Sequence, residues 1–168
     1  MGMTANLLAV NPADLERMKA DPEQLANLIH DEVEGLRVNN IDKSWEGLLF
    51  LLTGQGSAGL QAQPITHLGR ALFSGRLIDA AQDLGYGPAH YLEADEVAAV
   101  AKELNAIRVE DLEARFDPAE MMRQEIYPVI WDRVDDDLKG YLLDYFDELK
   151  MVYQTAAEKG DAMITFIS

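Results

Sequence analysis

Residues 135–167 read DDDLKGYLLDYFDELKMVYQTAAEKGDAMITFI, and their pattern decides the fold. Three acids stand first, where carboxylates suit the partial positive charge of a helix N-terminus. Leu138, Tyr141, Leu142, Tyr145, Phe146, Leu149, Val152, Tyr153 and Ala156 then recur at steps of three and four, which is the period of one apolar helix face. The spacing predicts a helix of about 25 residues and roughly 36 Å, capped by Gly160 and forming the spine of the core. Tyr141, Leu142, Tyr145, Phe146, Leu149 and Tyr153 are expected inward, while Asp144, Asp147, Glu148 and Lys150 fall on the opposite side, toward solvent or a partner. Ala162 to Ile167 follows as a terminal strand.

At the other end, Thr4 to Val10 is short and largely apolar and reads as a buried strand that Asn11-Pro12 turns into a helix. Asp21-Pro22 repeats the signal and starts a second short helix through Leu25, Leu28 and Ile29. Asp42 reads as the cap of a mostly buried helix carrying Trp45, Leu48, Leu49 and Leu52 and ending near Thr53-Gly54. Gln55 to Pro64, with its glycines, is expected to be a flexible loop, and Thr66 to Leu84 a weaker helical stretch broken by Gly69 and Gly75. Ala89 to Leu92 reads as a strand, and Asp95 as the cap of a helix through Val97, Val100 and Leu104. Two short helices, 109–116 and 118–124, precede an extended corner at Ile126-Tyr127-Pro128, since a residue before proline is pushed out of the helical region. The sum is a helix-rich α+β fold with a small sheet that includes the N- and C-terminal strands, expected as one domain over residues 1–168.

The chain has 168 residues, of which 48% are apolar, with 30 acids against 14 bases and no cysteine. A net charge of −16 repels a phosphate backbone, so nucleic acid is not the expected partner and a basic protein is. The acids concentrate between Glu93 and Glu148. Lack of cysteine excludes a disulfide framework, a thiolate metal site and a cysteine nucleophile, and fits a cytoplasmic setting. No secretory leader or membrane anchor is expected, because the opening residues carry no base and the run Leu48 to Leu52 is far shorter than a bilayer span of ~20 residues.

Few motifs survive their context. Gly54-Gln55-Gly56-Ser57-Ala58-Gly59 has the spacing of a dinucleotide-binding turn, but a helix precedes it where that chemistry needs a strand. Asp135-Asp136-Asp137-Leu138-Lys139-Gly140 opens like a calcium loop, yet its twelfth position is Phe146 instead of a bidentate acid. His30, His67 and His90 form no metal pair at helical spacing. No cofactor, metal or catalytic residue is therefore assigned.

The chain resembles the YfbM-like family of uncharacterised bacterial proteins. The likeness rests on Met1-Gly2-Met3 before the first strand, Ile41-Asp42-Lys43-Ser44-Trp45 through Gly54, Tyr91-Leu92 before Glu96-Val97, Glu125-Ile126-Tyr127-Pro128 with Trp131, and Tyr153 to Ala157 with Gly160. It implies a compact bacterial α+β domain and brings no catalytic residues with it. Two readings of function stand. The first is a non-enzymatic protein-binding module, an immunity-type protein against a basic toxin being one form, with Asp135, Asp136, Asp137, Asp144, Asp147 and Glu148 as the binding candidates. The alternative is a small enzyme or ligand-binding protein with a pocket near Trp45, Tyr127 and Trp131, to which Asp42 and Lys43 would contribute.

Overall fold

Strands from opposite ends of the chain form the centre of the fold. The computed structural model describes residues 2–30, 38–60 and 66–168. β1 (Ala5–Val10) pairs antiparallel with β4 (Ala162–Ile167) along its whole length, from Ala5 opposite Ile167 to Val10 opposite Ala162. Thr4 and Ser168 extend the ladder with reciprocal backbone hydrogen bonds of 2.9 and 3.0 Å. Two three-residue strands flank this pair, β2 (Val38–Asn40) against β1 and β3 (His90–Leu92) against β4, giving the antiparallel order β2-β1-β4-β3. Successive side chains of a strand point to opposite faces, and here they feed two cores. Ala5, Leu7, Met163 and Ile167 join the larger one, and Leu8, Val10, Ala162, Ile164 and Phe166 the smaller.

The smaller core is closed by α1 (Pro12–Ala20) and α2 (Glu23–His30), which contribute Leu15, Met18 and Leu25. Asn11 caps α1 by accepting the Asp14 amide at 2.8 Å, as the Asn-Pro signal predicts. The larger core is built on α9 (Leu138–Lys159), whose Leu142, Phe146, Leu149, Val152, Tyr153 and Ala156 are buried against α3 (Trp45–Thr53) and α6 (Ala94–Ala106). Asp137 caps α9 through the Gly140 amide at 2.9 Å, and Gly160 ends it at φ 70°, a left-handed conformation that glycine adopts without penalty. The expected inner and outer faces appear, with Tyr141 and Tyr145 half-buried at their boundary. Among the described residues no helix is long and apolar enough to cross a membrane.

Several local expectations give way. Asp42 does not cap a helix with its side chain: it opens a 3-10 turn, Asp42–Ser44, at φ 50°, and its carboxylate is taken by Tyr141. The helix after Leu92 starts one residue before Asp95, with the Glu93 amide held by the Glu96 carboxylate at 3.0 Å. Within Gln55 to Pro64, a single helical turn α4 (Ser57–Leu60) forms, while 61–65 lie outside the described residues. The stretch from Thr66 to Leu84 holds only one helical turn, α5 (His67–Arg70), before turns and extended chain, because its carbonyls at Ala71 and Leu72 are spent on Tyr153 and Thr165 of the core. The two remaining short helices, α7 (Val109–Ala114) and α8 (Pro118–Arg123), stand where the sequence places them, α8 with Asp117 as its cap.

Candidate functional site

The entrance of α9 faces the 3-10 turn at Asp42, and between them lies a cleft of about 420 Å³. Its walls bring Asp42 and Lys43 together with Asp135, Asp136 and Asp137, while Tyr141, Leu138 and Ile130 line the rest. Both sides are backed by backbone that costs free energy to hold. Asp42 stands at φ 50° and Val129, next to the lining residues Pro128 and Ile130, at φ 59°. A β-branched residue there is a steric outlier costing of order 1–3 kcal/mol, sustained only because the surroundings fix it.

Tyr141 donates its hydroxyl to Asp42 at 2.8 Å. Burial first, and then the negative carboxylate, push this phenol far above its ordinary value. It is therefore a hydrogen-bond donor and not a base, and it fixes Asp42 in place with the second carboxylate oxygen left over. Burial and the nearby Asp42 and Glu148 charges raise Tyr145 as well. Among the described residues no group of three or more His, Asp and Glu side chains is placed to hold a metal ion.

The aromatic candidates are not among the residues that line the cleft. Trp45 is 5% exposed and stacks on Tyr127 with centroids 5.6 Å apart and planes 23° from parallel. The two rings clamp the N-terminal backbone, Met3 donating to the Tyr127 hydroxyl at 2.9 Å and accepting the Trp45 indole N–H at 3.2 Å. Gly2 lies so close that a Cβ there would come within 2.7 Å of the Tyr127 oxygen. Trp131 is 2% exposed, donates to the Ile126 carbonyl at 2.7 Å and meets Phe116 edge-on. Asp42 and Lys43 thus share the open cleft, Trp45 and Tyr127 share a stack, and Trp131 borders a second hollow of about 280 Å³ with Phe116 and Val134.

Glu46 is the residue that sequence reasoning missed. It is buried on α3 and accepts three hydrogen bonds, from the Ser57 amide at 2.8 Å, the Ser57 hydroxyl at 2.5 Å and the Tyr127 amide at 2.8 Å. Gln124 adds a bond from the Gly56 amide to its side-chain oxygen at 3.2 Å. The amides of the glycine motif that would cradle a phosphate are thus occupied by the chain's own carboxylate and amide. The motif is a structural joint, tying α3 to the corner at Tyr127. Its only sequence signal was an acid in an otherwise apolar helix.

The acids of α9 extend the cleft outward. Asp137, Asp144, Asp147 and Glu148 recur at three, four and seven residues, along one side of the helix. Asp135, Asp136, Asp137, Asp144 and Asp147 are exposed and Glu148 half-exposed. Exposed apolar side chains stand at both ends of this stripe, Val134 at 94% and Met151 at 62%.

Residues 1–166 match the family model described as a domain of unknown function, DUF1877. Among curated proteins, YfbM of Escherichia coli (strain K12) is 26% identical over 173 residues, covering 99% of both chains. The crystal structure of that organism's YfbM, titled a protein of unknown function, superposes with a TM-score of 0.72 at 22% identity over 98% of this chain and 99% of its own, a likeness of fold.

Proposed function

The chain belongs to the DUF1877 family, a domain of unknown function, and from the charge and geometry of the site we propose that it is a non-enzymatic acidic binding module for a basic protein. An immunity-type protein that covers a basic toxin in the cytoplasm is one form of this function. The observation that carries the reading is the stripe on α9: five exposed carboxylates of the cleft mouth and helix, with an exposed valine and methionine at its ends. Charges of one sign speed encounter and select a partner of the other sign, and apolar anchors supply affinity once water is excluded. Capture from the native host at rising salt tests this. A basic protein retained at low salt and released as salt screens the charges supports it; retention of none removes its main support.

The alternative, a small ligand-binding protein or enzyme, is favoured by the strained backbone at Asp42 and Val129, since such outliers gather at functional sites. In that case the ligand occupies the cleft of Asp42 and Lys43, with the Trp45–Tyr127 stack as its support. A library of small metabolites screened by thermal shift would then contain compounds that raise the Tm of the native chain and fail on Asp42→Ala.

A further inference from the structure

His90 lies on the edge strand β3, half-buried, with its ring edge-to-face on Phe73 at 5.5 Å. Its Nδ1 accepts the Gly75 amide at 3.2 Å, so in this arrangement that nitrogen carries no proton. Residues 74–78 run along the outer side of β3. Tyr91 donates its amide to the Arg76 carbonyl at 3.0 Å, Ile78 donates to the Ala89 carbonyl at 3.0 Å, and Leu77 bridges His90 antiparallel. This short strap is what closes that edge of the sheet. An open strand edge presents unpaired amides and carbonyls that another strand can join.

The charged groups around the strap are spent on one another. Arg76 and Arg70 both pair with Glu96 of α6, and Lys19 of α1 pairs with Glu16 and Glu93. Arg76 and Lys19 also lie over the Tyr91 ring, at 5.0 and 4.9 Å, and Glu46 of α3 is committed to Ser57 and Tyr127. Among the described residues no carboxylate pairs with the His90 imidazole, and Glu103 meets His67 instead.

We propose that residues 74–78 are a latched cover over the β3 edge and that His90 is the latch, holding the cover while its imidazole is neutral and releasing it when protonated. A proton on Nδ1 sets two donors face to face across the Gly75 contact, and the side-chain acceptor that holds the strap's turn to β3 is lost. Burial already holds the proton affinity of this ring below the ordinary histidine range, so release belongs to acidic conditions. Release would also pull Arg76 away from Glu96 and Tyr91 and leave the edge open to a further strand.

Amide hydrogen exchange read by NMR on the full chain tests the latch, at a series of values from about pH 7.5 to about pH 5 and corrected for the intrinsic exchange rate. The Tyr91 and Ile78 amides should lose protection with a midpoint equal to that of the His90 ring titration in the same samples, while the amides of β1 and β4 keep theirs. His90→Gln retains a side-chain acceptor but no titratable ring, and should hold the strap across the series. Should the glutamine fail to hold it at any pH, the coincidence of the two midpoints in the native chain decides. Unchanged protection of Tyr91 and Ile78 while His90 titrates would overturn the proposal, as would loss in His90→Gln at the native midpoint, which would place the trigger on Glu96 or another acid.

Discussion

Three side chains carry unusual weight for their size. Phe146 is buried in the middle of the α9 inner face, and Phe146→Ala should cost roughly 3–5 kcal/mol in a denaturant melt, the lost transfer energy plus the cavity left behind. Glu46→Ala leaves the Ser57 and Tyr127 amides without their acceptor, and a buried unsatisfied group costs about 1–3 kcal/mol. The same melt should show Glu46→Gln losing less, because the amide oxygen still accepts. Val129 differs in sign. Val129→Gly relieves the positive φ and should raise stability by about 1 kcal/mol or leave it unchanged, and a loss would mean that the valine side chain supports the cleft wall.

At the level of elements, whatever depended on local period and caps was legible. The steps from Leu138 to Ala156, the Asn11-Pro12 and Asp117-Pro118 starts, and the terminal strand all follow from neighbours in the chain, and each stands where the sequence places it. What depended on distant partners was not. Asp42 looks like a cap, but Tyr141 recruits its carboxylate from 99 residues away. Glu46 resembles any acid in a first helical turn until residues 57 and 127 fold back on it. The strand β2, three residues long and polar at two of them, exists only because β1 offers it an edge. In the candidate site, acid clustering on α9 was legible, while the cleft that joins Asp135–Asp137 to Asp42 and Lys43 required the tertiary fold. The outer face of α9 gives the corresponding prediction: Asp144→Lys with Asp147→Lys, both exposed, should change stability by only ~0.5 kcal/mol per site, against the collapse expected if either faced the core.

For the whole molecule, the two cores share one sheet, so acid acts on it through groups whose proton affinity the fold alters. His90 binds a proton less readily when folded than when unfolded, because burial penalises the cation. Its contribution to stability is therefore fully present above the unfolded value of about 6.5 and lost as pH falls below it toward the folded value. The melting difference between the native chain and His90→Gln should shift against the native chain over that window and stay constant above it. The acidic charge has a different consequence: a chain with an excess of sixteen negative charges attracts positive surfaces, and the proposed binding face places five exposed carboxylates on and just before α9.

That claim is tested most directly by comparing capture of basic host proteins at low salt by three forms of the chain: native, Asp144→Lys with Asp147→Lys, and Glu110→Lys with Glu113→Lys. Both pairs are exposed and change the net charge equally, but the second lies on α7. The native chain and the α7 variant should retain the same basic protein while the α9 variant, equally stable, loses it. Equal retention by all three, or equal loss from both variants, would contradict a binding face on α9.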